Sequence, residues 1–241
     1  MTLAEFLSLM RSTLEGTTFE GKCYIVGGVV RDHLLGRQDF DDFDLVVEMP
    51  YGGLKLGAYL SHRWHPDYYE TFPKFGTAKM ETMGTKLDFV QTRKEVYRPG
   101  RRYPRITFSS IRDDVYRRDF CINALYLELF SSEISDPCGR GRQDLEQGMI
   151  NSIREPDKVF AEDLLRIIRA LRFSAVLGFE IGAESKTAMR KYAQQTSRLS
   201  ARAIQREVGK IVAAGKLEQA KALFHEFGLE LPDFPPEPIG G

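Results

Sequence analysis

Apolar residues recur at three- and four-residue steps through Leu3, Phe6, Leu7, Met10 and Leu14, which predicts an amphipathic helix over residues 3–14. Residues 22–26 read as a short strand ending in Gly27-Gly28, and residues 29–35 as a helix stopped by Gly36. Residues 43–48 and 86–91 have the pattern of strands, Met80 belongs to another, and residues 107–111 and 124–129 are β-like runs. The character changes after Asp136. Phe160, Leu164, Ile167, Leu171 and Ala175 trace one face of a single long helix that stops at Gly178, and helical patterns follow over residues 200–213 and 216–226. Pro232, Pro235, Pro236 and Pro238, followed by Gly240-Gly241, suit neither helix nor sheet. Strands first and helices later predict an α+β fold: a head over residues 1–135, an all-α part over 136–230, and a flexible tail over 231–241.

Composition narrows the classes. The chain has 241 residues, enough for one large domain or two small ones. No stretch approaches the roughly 18 apolar residues of a membrane span, and the N-terminus has no signal-peptide core. Cys23, Cys121 and Cys138 are odd in number and far apart along the chain. They form neither a disulfide framework nor a C-x-x-C metal pair, and the expectation is a reducing cytoplasm. Lys and Arg number 34 against 34 Asp and Glu, which excludes a protein that coats nucleic acid indiscriminately. A local basic patch can still hold a phosphate chain.

Three groups of residues carry candidate chemistry. Asp42 and Asp44 open a predicted strand, and alternation puts both side chains on one face. Two such carboxylates raise each other's pKa unless a cation sits between them, and hard oxygen ligands point to Mg²⁺; a solvated acidic turn is the plain alternative. Gly27 and Gly28 lie between a strand and a helix, where backbone N–H groups can cradle a phosphate, and Arg31 follows one helical turn on. Asp88, in the apolar run Leu87-Asp88-Phe89-Val90, either completes a metal site or pairs with an arginine.

Arginine is dense further on: Arg98, Arg101, Arg102, Arg105, Arg112, Arg117 and Arg118 fall in one stretch. Their forks match phosphate oxygens, although the first four also suit a solvated loop. Arg117-Arg118-Asp119-Phe120 leads straight into an apolar run, where charged groups usually have assigned partners. On the long predicted helix, Asp163 and Arg166 stand three apart, and Arg169 and Arg172 continue the step. An Asp–Arg pair can hydrogen-bond a base edge; an ordinary helix ion pair is the simpler reading.

Taken in order, these segments resemble the class II tRNA nucleotidyltransferases (CCA-adding) and bacterial poly(A) polymerases. The resemblance rests on Gly27-Gly28-Val29-Val30-Arg31-Asp32, Asp42-Phe43-Asp44, Phe75-Gly76-Thr77-Ala78-Lys79, residues 88–97 (DFVQTRKEVY), 114–125 (DVYRRDFCINAL), 136–150 (DPCGRGRQDLEQGMI) and 160–173 (FAEDLLRIIRALRF). It implies a polymerase-beta-like nucleotidyltransferase head with about five strands, followed by an all-α neck. It implies Mg²⁺ on Asp42 and Asp44, with Asp88 as the third catalytic carboxylate. Gly27, Gly28, Arg31, Arg118 and Asp119 would bind the nucleotide's triphosphate and ribose. Asp163 and Arg166 would read the base of CTP or ATP, and Arg169 and Arg172 would bind the same nucleotide. The reaction implied is addition of CMP or AMP to an RNA 3′ end, tRNA being the expected acceptor, with pyrophosphate released.

Two departures qualify the resemblance. Arg202-Ala203 precede Ile204 where the family has a Glu-Arg pair, although Glu207, Lys210 and Ile211 fit. Only two short helical segments follow the neck helix, against the family's body and tail, which weakens the expectation of tRNA binding. A catalytically weak RNA- or nucleotide-binding module of the same fold is therefore the competing expectation. A phosphohydrolase with Asp42 as nucleophile is disfavoured, because the residues before Asp42 are polar.

Overall fold

The first helix, α1 (Leu3–Leu14), begins where the sequence pattern places it and is closed by a capping box. Thr2 Oγ1 accepts the Glu5 N–H at 3.2 Å, and Glu5 Oε2 accepts the Thr2 N–H at 2.7 Å. Its predicted apolar stripe is buried, and Phe6 stacks on Phe43 with ring centroids 3.9 Å apart. This computed structural model describes residues 1–96 and 105–232. Arg98, Arg101, Arg102 and residues 233–241 lie outside the described residues.

The chain divides into two compact units, Met1–Leu145 and Glu146–Gly241. In the first, α1 is followed by β1 (Cys23–Val26), α2 (Gly28–Leu34), β2 (Asp42–Val47), α3 (Gly52–Trp64), β3 (Tyr68–Phe72), β4 (Thr77–Thr82) and β5 (Thr85–Gln91). Then come β6 (Arg93–Val96), β7 (Arg105–Phe108), α4 (Ile111–Asp114), β8 (Tyr126–Glu128), β9 (Ile134–Ser135) and α5 (Gly141–Glu146), which ends at the unit boundary. The main sheet runs β3-β4-β5-β2-β1-β8-β9, and β6 pairs with β7. Within the main sheet β2 and β5 are parallel and the other neighbours antiparallel. The expected five-stranded sheet corresponds to β1–β5, each four to seven residues long. Two shorter strands extend it.

Alternation along β2 and β5 sends Phe43, Leu45, Leu87 and Phe89 to one face, where they are buried. α3 covers the same face at very short range. A Cβ at Gly53 would stand 2.5 Å from Phe89 O and 2.6 Å from Gly76 O, so only glycine permits that approach. The opposite face carries a continuous row in register: Tyr126, Val26, Asp44, Asp88 and Lys79, from β8 across to β4. Sequence spacing puts Asp42 and Asp44 on one face; the ladder adds Asp88 beside them.

The second unit contains β10 (Met149–Ile150), α6 (Pro156–Glu162), α7 (Leu165–Leu177), β11 (Glu180–Ile181), α8 (Ala183–Tyr192), α9 (Ala201–Ala213) and α10 (Leu217–Glu226). It is helical apart from the parallel pair β10-β11, which the helical pattern did not reveal. The single long helix expected over 160–175 is instead two. Asp163 is extended, at φ −148° and ψ 104°, and its Oδ1 accepts the Leu165 N–H at 2.9 Å, so it starts α7 rather than continuing α6. Gly178 ends α7 at φ 72°, as the pattern predicts. Among the described residues, no helix is long and apolar enough to cross a membrane.

Candidate active site

Asp42 and Asp44 lie on β2 with their side chains exposed on the face away from α1 and α3, flanking the fully buried Phe43. Asp44 keeps access to solvent although protein surrounds it densely, as for a residue lining a recess. The access decides whether an ion can reach it, and the surrounding mass decides how costly its charge is. Burial, then the neighbouring charges of Asp88 and Asp42, push its carboxyl up to about 6, against the pull of Arg118 and Lys79. Two neighbouring carboxylates on one strand face, with a third in register beside them, fit a hard divalent cation held by Asp42 and Asp44. Asp88 is committed elsewhere: it pairs with Lys79, its register partner on β4, where a metal role or an arginine partner was expected. Among the described residues, no three Asp, Glu, His or Cys side chains converge on one point.

Gly27 ends β1 and caps α2 at φ 74° and ψ −133°, a conformation open to glycine alone. A Cβ there would also stand 3.2 Å from Asp44 Oδ2, so a side chain would crowd the carboxylate. Gly28 begins α2, close to the Arg31 guanidinium. Arg31 is buried and oriented on two sides: Nε donates to Asp32 Oδ1 at 2.7 Å and Nη1 to Asn123 Oδ1 at 2.8 Å. Asn123 Nδ2 donates in turn to Asp119 Oδ1 at 3.2 Å, and the same oxygen accepts the Phe120 N–H at 2.8 Å. Asp119 thus has one oxygen occupied in shaping its own turn.

Arg118, by its charge, pulls the Asp44 carboxyl down. Its Nε donates to Tyr126 Oη at 2.7 Å, and its Cζ stands 4.9 Å from the centre of that ring. Tyr126 Oη donates to Asp114 Oδ2 at 2.8 Å, while Arg117 Nε donates to Asp114 Oδ1 at 2.7 Å. Asp114 is fully buried. Burial alone would push its carboxyl up, but Arg117 and Arg118 prevail and hold it down at about 2. Asp114, which the sequence marks only as the first letter of a motif, is the hub of the arginines. Its spacing of three and four from Arg117 and Arg118 was the available signal. Asn123, Tyr126 and Lys79 were missed too, because only the sheet register and the turn bring them in.

In the second unit, Asp163 and Arg166 meet through the backbone, the Arg166 N–H donating to Asp163 O at 3.1 Å, and their side chains go different ways. Asp163 is exposed, whereas Arg166 is buried and its Nη1 donates to Val159 O at 3.0 Å and Glu162 Oε2 at 3.3 Å. The break at Asp163 removes the geometry that a continuous helix would have given them. Arg172 Nε lies 2.6 Å from Glu207 Oε2, and Arg169 Nη1 lies 3.8 Å from Glu207 Oε1. Both arginines therefore engage a buried carboxylate of α9, and Arg172 also covers the Phe173 ring at 3.9 Å.

A seven-stranded mixed sheet with paired carboxylates on its open face defines a nucleotidyltransferase-type head. Residues 23–151, more than half of the chain, match the Poly A polymerase head domain, and the chain belongs to that family. It is 37% identical over 174 residues to the A-adding tRNA nucleotidyltransferase of Aquifex aeolicus, covering 70% of this chain and 20% of that protein. It is 33% identical over 212 residues to the CCA-adding enzyme of Leuconostoc mesenteroides, covering 87% of this chain and 50% of that one. The Bacillus stearothermophilus CCA-adding enzyme solved in complex with CTP superposes with a TM-score of 0.74 at 27% identity, covering 98% of this chain and 54% of that one. The chain thus spans from a fifth to about half of the length of these proteins.

Proposed function

We propose that this chain carries the catalytic part of a magnesium-dependent nucleotidyltransferase acting in the cytoplasm. It adds CMP or AMP, from CTP or ATP, to an RNA 3′ end, tRNA first, and releases pyrophosphate. The observation that carries this reading is the row of carboxylates, with Asp44 pushed up to about 6 beside Asp88 and Asp42. Its likeness to an A-adding tRNA nucleotidyltransferase and to a CCA-adding enzyme supports the choice of nucleotide and acceptor.

We assign catalysis to the head, residues 1–135, and nucleotide selection to the neck, residues 136–230. Asp42 and Asp44 would hold the metal. Magnesium bound there would supply positive charge that lowers the pKa of the RNA 3′-hydroxyl and neutralises the departing pyrophosphate. Arg118 and Arg31, each fixed by two partners, present preset guanidinium forks to the triphosphate oxygens. Gly27 and Gly28 keep that approach free of side chains, and Asp119 meets the ribose. Asp88 activates the attacking hydroxyl, for which its pair with Lys79 has to open. Base choice falls to Asp163 and Arg166, working as separate groups. Arg169 and Arg172 act through Glu207, positioning α7.

A catalytically weak nucleotide- or RNA-binding module is the second reading, favoured by the hold of Lys79 on Asp88. The deciding experiment incubates the protein with tRNA lacking its terminal nucleotides, labelled CTP or ATP, and Mg²⁺. Incorporation that EDTA and Asp42→Ala both reduce to background supports the enzyme. Mg²⁺-dependent CTP binding in a calorimeter without incorporation supports the module, and neither signal would overturn both.

A further inference from the structure

Cys121 and Cys138, seventeen positions apart in sequence, are brought together in space: Arg140, two residues beyond Cys138, holds its Nη2 3.6 Å from Cys121 Sγ, and each thiol shifts the acidity of the other. Cys121 is buried on the single 3-10 turn Cys121–Asn123, and Cys138 is half-buried in the turn between β9 and α5. The two turns are pressed together: a Cβ at Gly141 would stand 2.7 Å from Cys121 O and 3.2 Å from Asp136 Oδ1.

The surroundings make the two sulfurs unequal. Cys138 Sγ donates to Asp136 Oδ1 at 3.1 Å, and Arg140 Nη2 stands 3.6 Å from Cys121 Sγ. The hydrogen bond from Cys121, helped by the Arg140 backbone N–H, lowers the Cys138 thiol against burial and the nearby Asp136 carboxylate. That same bond, together with burial, raises Cys121. A more acidic, solvent-reachable thiol beside a buried one that keeps its proton is the arrangement of an attacking and a resolving cysteine. Cys23, buried on β1 and pushed up to about 12 by that burial, has neither property.

We propose that Cys121 and Cys138 form a hydroperoxide-oxidisable dithiol, a modification site in the head. The Cys138 thiol gives up its proton, the thiolate attacks one peroxide oxygen and the O–O bond breaks; Cys138 becomes a sulfenic acid, and the expelled hydroxide takes up that proton and leaves as water. Cys121 then gives up its proton and attacks the Cys138 sulfur, and the hydroxyl group departs with that proton as a second water. Two thiols and one hydrogen peroxide become one disulfide and two waters, the sulfurs losing two electrons and the peroxide gaining them. The bond would fix the turn whose Asn123 and Asp119 orient Arg31.

The test exposes the full chain to a small molar excess of hydrogen peroxide, alkylates the free thiols under denaturing conditions, and maps the peptides by mass. The expected product, in most molecules, is a linked Cys121–Cys138 peptide lighter by two hydrogens, reversed by dithiothreitol, with Cys23 alkylated. In Cys121→Ser, Cys138 should stop at a sulfenic acid that dimedone traps. Recovery of Cys121 and Cys138 both alkylated in the wild-type chain, or linkage only between chains, would overturn the proposal whether or not that variant folds.

Discussion

A carboxylate whose charge the fold disfavours leaves a mark on stability before any ligand arrives. The carboxyl of Asp44 rises from 3.8 to about 6, so the folded state holds its proton more tightly than the unfolded chain does. Its ionisation therefore lowers stability as pH climbs through that window, with the full penalty above it and none below. Asp44→Asn should melt about 2 °C higher than wild type at pH 7.5 in EDTA, and the gain should vanish by about pH 4. Thermal denaturation followed by circular dichroism at both pH values checks this; an equal gain at both would mean that the charge is not strained. The same-face geometry of Asp42 and Asp44 was legible in two letters, because a strand's period is two. The value of about 6 was not, since Asp88 and Arg118 act from 44 and 74 residues further along.

Elements show where local preference overrode a periodic pattern. The apolar stripe from Phe160 to Ala175 is real on both sides of the break, but aspartate readily gives its side chain to a backbone N–H and begins a new helix. Asp163→Ala should therefore cost about 1 kcal/mol in urea unfolding, while Asp163→Asn, which keeps the acceptor oxygen, should cost less than half of that. Equal losses would mean that charge near the helix N-terminus, and not the cap, is what stabilises α7. The helices α1, α9 and α10 were readable because each buries one stripe. α3 was not, since its contact face includes Gly53 and Gly57, which bury the helix by closeness and not by hydrophobicity. The His62-Arg63-Trp64-His65 segment is a helix end: α3 stops at Trp64 and His65 caps it at φ 46°.

At the scale of the molecule, Asp114 joins parts of the head that are distant along the chain, taking hydrogen bonds from the Arg93 N–H, Arg117, Arg118 and Tyr126. Asp114→Asn leaves two guanidinium groups without their counter-charge in a buried setting and should cost about 3 kcal/mol near neutral pH. The carboxyl is depressed from 3.8 to about 2, so the stability it gives is present above 3.8 and lost as pH falls through 2. The deficit of the variant should shrink over that acid range, and guanidinium titrations at a series of pH values measure it; a deficit independent of pH would assign the loss to packing. What the sequence alone determined was every relation with a short period: the stripe of α1, the paired faces of β2, the glycine between β1 and α2, and the ordered motifs that mark the family. Only the tertiary structure decided which distant residues complete those pieces: Lys79 on Asp88, Asp114 beneath Arg118, Asn123 on Arg31, Cys138 on Cys121. The reason is physical. Periodicity records which way a side chain points, whereas its partner depends on sheet register and turn packing, which are settled only when the whole head has folded.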